Sequence, residues 1–267
     1  MEDPLVQALK GSSLEERVQQ LNELKQQAPR ELIDAYHERL DMSWIYHDSA
    51  LEGVVYTKEE LTSAILDQVV SDSSLIPVYD EIRNFKGGVD LVRTLSEKKR
   101  PVVGLEVVKN IYSQLTPEEV DGKGAPKYRK DMPLHRLYFH EISAPEKISY
   151  KMRQLMQWVS SPDTRRSTHP IRLASKTHVQ LLHIYPFPRN SGKVARLLMN
   201  LILMRHGYPP AVLHATERQR YYEALKSSED AVANLIHEAL VTSVESAVRL
   251  FETAAEEESN GTRVQTA

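Results

Sequence analysis

Cysteine is absent from the 267 residues, which excludes disulfides, thiolate metal sites and a thiol nucleophile. Glycine is scarce, at 10 residues, and long stretches rich in Leu, Glu, Lys, Arg and Ala favour helix over sheet. No apolar run approaches the roughly 18–20 residues needed to cross a bilayer. An excess of positive charge is also missing: 34 Lys and Arg face 37 Asp and Glu, for a formal net charge of -3. General affinity for nucleic acid is therefore not expected. The Met-Glu-Asp-Pro start has neither the basic nor the apolar region of a signal peptide. These absences give the expectation of a cytoplasmic, all-α protein with no membrane and no nucleic-acid partner.

What is present is helical periodicity. Ser13 and Glu16 have the spacing of a capping box, and Pro29 separates two apolar-periodic stretches. Gly53 reads as a helix stop, and Thr57-Lys58-Glu59-Glu60 as a new start. Residues 1–74 form an N-terminal helical segment, 75–254 a core, and 255–267 a polar tail expected to be disordered. Within the core, helices are expected over about 77–99, 104–115, 145–160, 170–184, 192–205, 217–226 and 231–254. Leu134–Ile142 is the one place for a short β-hairpin. His169-Pro170 opens the helix that leads into the most informative stretch.

That stretch is Tyr185-Pro-Phe187-Pro-Arg189-Asn190-Ser191-Gly192-Lys193-Val-Ala-Arg196. A helix ends, a tight loop follows, and a second helix begins with Ser, Gly and Lys in its first turn. Unpaired N–H groups and the positive helix end make such a turn an anion site. Arg196 lies four residues after Gly192, so Lys193 and Arg196 can both reach a phosphate there. The same residues also read as an ordinary Ser N-cap with two exposed basic side chains.

The stretch resembles the signature of the Fic (Fido) family, H-P-F-x-(D/E)-G-N-G-R-x-x-R, with Pro186, Phe187, Gly192 and Arg196 matching and Lys193 a conservative change. The run Leu197–Pro210 and the segment Glu217–Leu225 also look like family segments, so the resemblance covers about 75–250. It implies an all-α Fic-fold helical bundle with a hairpin flap and an N-terminal helical extension. It further implies transfer of AMP from ATP to a protein hydroxyl, with Mg²⁺ bridging the phosphates. By the same resemblance a protein target docks on the flap by strand addition, and homodimers are common.

Two departures bear on chemistry. Tyr185 stands where the family has its catalytic histidine, and a phenol of pKa ~10 is a poor general base. His183 lies two residues away, a rotation of roughly 200° on a helix, so it faces elsewhere. Arg189 stands where the family has its metal-binding acid, and a guanidinium has no lone pair for Mg²⁺. It is able to pair with a phosphate directly instead. Phosphate-binding candidates are thus Arg189, Asn190, Ser191, Gly192, Lys193 and Arg196, with ATP or another nucleotide as ligand, Tyr185 at the catalytic position and no metal. A degenerate protein with AMP transfer lost or weak is the expectation, and an active transferase with altered chemistry the alternative.

Residues Ser49–Gly53 are similar to the family's inhibitory motif, with Asp48 at its Ser/Thr position. The resemblance implies a pair between Glu52 and Arg196, the arginine that orients the γ-phosphate. Tyr221 and Tyr222 are expected in the core rather than on an adenine ring.

Overall fold

The computed structural model describes residues 12–66, 72–100, 103–120, 124–133 and 141–265, with side chains described from Leu14 to Glu256 within these. Among the described residues every regular element is helical. The helices are α1 (Ser12–Gln27), α2 (Arg30–Leu51), α3 (Lys58–Ile65), α4 (Ile76–Glu97), α5 (Leu105–Leu115), α6 (Pro117–Val120), α7 (Pro145–Ser160), α8 (Pro162–Ser167), α9 (Pro170–Ile184), α10 (Ser191–Arg205), α11 (Arg218–Ser227) and α12 (Glu229–Gln265). No helix among the described residues is long and apolar enough to cross a membrane.

The boundaries follow local chemistry. Pro29 stands at the start of α2, where its fixed φ suits a first turn and its missing N–H costs nothing. Thr57 and Glu60 form a reciprocal capping box at α3, each side chain meeting the other's backbone N–H. Prolines open α7, α8 and α9. After α2, Gly53 takes φ +91° and turns the chain, a conformation that costs glycine nothing.

α10 is the axis of the molecule, with every residue from Ser191 to Leu203 buried. Helices α4, α5 and α9 pack around it. Its close approach to α4 rests on Gly88, where an added Cβ would lie 3.1 Å from Leu197 Cδ1. Asn200 closes the far end, its amide accepting from Ala211 N–H at 2.8 Å and donating to Ala211 O at 3.2 Å. The long α12 covers α9 and α11, and α1 lies along α12. One hydrophobic cluster runs from Leu14 and Leu21 through α10 to Phe251, so the N-terminal helices share the core's apolar interior.

α2 is tied to α4 by charge as well as packing. Buried Asp41 pairs with Arg93 and, at 3.4 Å, with Lys86. The two cations supply the charged partners that a buried carboxylate requires.

The fold departs from the sequence reading at three places. The expected tail at 255–267 is helical in its backbone to Gln265, because the Ala- and Glu-rich run at 253–258 carries on the good helix formers of α12. The expected hairpin at Leu134–Ile142 falls mostly on 134–140, outside the described residues, and Glu141 and Ile142 lie in no strand. Ser191 was a candidate helix cap, but Asn190 holds the N-cap position of α10 without a side-chain cap bond. The Ser191 hydroxyl reaches back into the loop, accepting from Phe187 N–H at 2.9 Å and donating to Phe187 O at 3.1 Å.

Candidate functional site: a loop whose cations are already paired

The loop between α9 and α10 is held by two left-handed residues. Tyr185 ends α9 at φ 48°, and Asn190 precedes α10 at φ 56°. Asparagine tolerates this region because its short polar side chain adds little steric cost. Asn190 therefore keeps the backbone turn although a glycine is missing. Phe187 is buried and stacks on Tyr112 at 3.9 Å between ring centroids, with planes 6° apart.

Beneath the loop, Arg129 acts as a backbone staple. Its Nε donates to Tyr185 O at 2.7 Å, Nη1 to Asp131 O at 3.0 Å, and Nη2 to Ile184 O at 3.3 Å and to Ser143 O. The backbone N–H of Arg129 also donates to Pro186 O at 2.9 Å. Two of these acceptors are carbonyls at the C-terminal end of α9, a helix end that a cation suits. Burial lowers the Arg129 pKa, and Tyr185 counteracts it.

Tyr185 is 2% exposed, so its phenol is enclosed rather than presented to solvent. His183 lies on another face of α9. Burial lowers its pKa, and the charges it feels are Glu229, Lys151 and Glu141, on the side of α7 and α12. It does not join the loop cations, as its helical phase requires.

Each candidate phosphate-binding cation meets an internal acid. Arg189, half exposed, pairs with Glu119 at 3.0 Å and with Glu118, both on α6. Lys193, 3% exposed, donates to Glu81 of α4 at 2.7 Å and sits 5.3 Å from the Phe85 ring centroid. Arg196, also 3% exposed, donates from Nη2 to Glu52 at 2.9 Å. The pair between Glu52 and Arg196 is thus present. Five carboxylates surround three cations, which leaves the region net negative.

The fifth carboxylate is Asp48, one helical turn before Glu52 on the same face of α2. Asp48 Oδ2 accepts from Arg196 Nε at 2.8 Å, and Oδ1 from Nη2 at 2.6 Å. Burial pushes the Asp48 carboxyl up from the ordinary carboxylate range, against the pull of Arg196. Burial by itself would lower Arg196, but Asp48, Tyr221 and Glu52 outweigh it and raise it well above its usual value. Two bonds this short to a fork of N–H donors are those of an ionised carboxylate. Tyr221 completes the cluster, 1% exposed, with its hydroxyl 3.0 Å from His178 Nε2 and 3.5 Å from Arg196 Nη1. Tyr222 is half-buried and donates to Leu51 O at 2.9 Å, so both tyrosines serve the interior, as expected.

Glu52 also occupies the first turn of α10. A Cβ placed on Gly192 would lie 2.2 Å from Glu52 Oε1. The internal carboxylate therefore lies against the first turn of α10. Gly192 is the residue that permits the approach.

Asp48 as an acidic ligand, and Glu81, Glu118, Glu119 and Arg129, were not singled out from sequence. The Asp48–Glu52 spacing of four was the one available signal. The donor set does not suit Mg²⁺: Arg189 stands at the expected metal position, and the two nearby glutamates are engaged with it.

Residues 103–203 match the family described as Fic/DOC. A protein adenylyltransferase Fic of Nematostella vectensis is 29% identical over 203 residues, covering 74% of this chain and 44% of the relative. The same-named protein of Aedes aegypti is 26% identical over 188 residues, covering 70% and 36%. The chain thus spans less than half the length of these curated relatives. Among solved structures, a Fic domain containing signaling protein from Bacteroides thetaiotaomicron superposes with a TM-score of 0.76 at 19% identity, covering 91% of this chain and 98% of that one. Fic-1 from C. elegans superposes at 0.75 with 20% identity, covering 96% and 75%. At these identities the likeness concerns the fold, which is the Fic fold. The stretch that matches the Fic/DOC family, residues 103–203, holds α9, the loop and α10 as far as Leu203.

Proposed function

We propose that this chain is a Fic-domain protein that binds a nucleotide or other phosphate ligand at the first turn of α10 only after Glu52 withdraws, with AMP transfer lost or weak. One observation carries the reading: the Glu52 carboxylate lies against Gly192 and bonds Arg196 at 2.9 Å, beside the helix end to which the proposal assigns the phosphate. An enclosed phenol at Tyr185 adds to it, because general-base catalysis is worth roughly 10²–10⁴-fold and a buried tyrosine is poorly suited to it. The loop retains its turn, its helix end and its three cations, so binding is kept while the proton acceptor and metal seat are not. Relatives named protein adenylyltransferases make a protein the expected target or partner.

A second reading, an active transferase with altered chemistry, draws on the cluster formed by Arg189, Glu118 and Glu119. There a tethered guanidinium stands in for a metal cation as an electrostatic clamp.

Calorimetry with ATP, ADP and AMP on the native chain, Glu52→Gly and Asp48→Ser/Glu52→Gly tests the first reading. We expect binding to appear with Glu52→Gly and to strengthen in the double variant. Absence of nucleotide binding in all three overturns it. Incubation with labelled ATP and candidate target proteins, with and without Mg²⁺, tests the second. Labelling by the native chain that disappears in Tyr185→Phe would replace the first reading with the second.

A further inference from the structure

A cavity of about 480 Å³ opens at the other end of α10, away from the signature loop. Its apolar lining is Val103, Val159, Leu173 and Ile202, all buried, from the start of α5 and from α7, α9 and α10. Its charged lining is different in kind. Lys98 and Lys99 follow α4, Arg165 lies on α8, and Arg205 closes α10. Against these four cations, Glu97 is the one acid among the described residues that line the cavity. That is an unusual concentration of positive charge in a chain whose formal net charge is -3.

Arg205 is fixed in place. Its Nε and Nη2 both donate to Leu95 O at 3.1 Å, and Nη2 also donates to Lys98 O at 2.9 Å. These bonds satisfy the carbonyl end of α4 and hold the guanidinium beside the cavity. Burial lowers the Arg205 pKa, and the charge of Arg165, also in the lining, lowers it further. The C-terminal ends of α4 and α10 each contribute roughly half a negative charge at most. That offsets part of the lining's charge and leaves it positive. An anion held above the apolar floor would offset this positive lining. The volume lies within the ~300–1,000 Å³ range of small-molecule sites, in which apolar walls carry a few placed polar groups.

We propose that this cavity is a binding site for a small amphiphilic anion, with an apolar body against Val159, Leu173 and Ile202 and an acidic head between Arg165 and Arg205. The proposal is independent of the signature loop and of any nucleotide bound there.

The test uses two fluorescent probes with similar aromatic bodies: 8-anilinonaphthalene-1-sulfonate, which carries the anionic head, and N-phenyl-1-naphthylamine, which does not. Arg165, Lys98 and Lys99 are exposed, so Arg165→Glu and Lys98→Glu/Lys99→Glu are expected to keep the helical circular-dichroism signal. The native chain is expected to bind the sulfonate with 1:1 stoichiometry and the neutral probe about tenfold more weakly. Each charge reversal is expected to weaken the sulfonate about tenfold and to leave the neutral probe unchanged. Failure of the native chain to bind the sulfonate overturns the proposal. So does equal affinity for the two probes, or sulfonate affinity unmoved by the charge reversals.

Discussion

Asp48 grips Arg196 through both carboxylate oxygens, at 2.8 Å from Nε and 2.6 Å from Nη2, while Glu52 holds the same guanidinium by one bond at 2.9 Å. The arginine is therefore claimed twice by α2, and the better-buried partner makes the larger contact. Removing Glu52 clears the helix end yet leaves Arg196 engaged. We expect ATP affinity, measured by calorimetry, to be about tenfold higher in Asp48→Ser/Glu52→Gly than in Glu52→Gly alone, the equivalent of one charge-assisted bond. Equal affinities would show that Asp48 does not restrain the site.

The same contact sets a stability cost. Asp48→Ala leaves Arg196 buried with Glu52 as its remaining acid. The loss should fall near the low end of the roughly 3–5 kcal/mol seen when a buried pair is broken. Urea denaturation of the two chains reads it directly, and a change near zero would show that the pair is balanced by its own desolvation.

Gly192→Ala puts a methyl group 2.2 Å from Glu52 Oε1, far inside van der Waals contact. The obstructing atom is the end of a flexible side chain, so Glu52 moves aside rather than the helices parting. We expect a cost of about 1 kcal/mol in the native background and almost none in Glu52→Gly. A double-mutant cycle by thermal denaturation measures this coupling. An identical cost in both backgrounds would place the strain elsewhere.

Legibility from sequence divides along a physical line. The α9–loop–α10 unit was readable because its signals are local: Pro170 at a first turn, a Pro- and Asn-containing loop, and a mostly apolar helix after Lys193 broken only by Arg196 and Asn200. Glu52 with Arg196 was readable only through the family likeness, since nothing in either residue's neighbours announces the other. Asp48 looked like a missing serine or threonine, although its spacing of four from Glu52 puts two acids on one face. Glu81, Glu118 and Glu119 gave no sign, because ion pairing across 70 to 112 positions is decided by tertiary packing. The end of α12 was misread for the opposite reason. Polar composition there suggested a tail, while the helix-forming tendency of Ala and Glu carried the backbone on.

Histidine 47 supplies a pH dependence of definite sign. Burial, with a smaller contribution from His214 stacked at 4.2 Å, lowers its pKa from 6.5 to about 4. Its neutral Nδ1 accepts from Ala215 N–H at 3.2 Å, a bond that protonation of Nδ1 removes. The unfolded chain binds this proton at a higher pH than the folded one. Stability is therefore complete above about pH 6.5 and declines as pH falls toward about 4. His47→Gln should flatten that limb of a plot of Tm against pH. An unchanged slope would assign the acid sensitivity to other groups.

A carboxylate resting on a helix start is, for any free anion, a rival that never diffuses away. Glu52 is joined to the same chain as the seat it fills, so it competes at an effective concentration on the order of millimolar or more. Supplying more of a weak outside ligand does little against such a competitor. On the proposed reading, what empties the seat is a change at the end of α2 that moves Glu52, so the local geometry of that helix, rather than metabolite abundance, sets whether the loop binds.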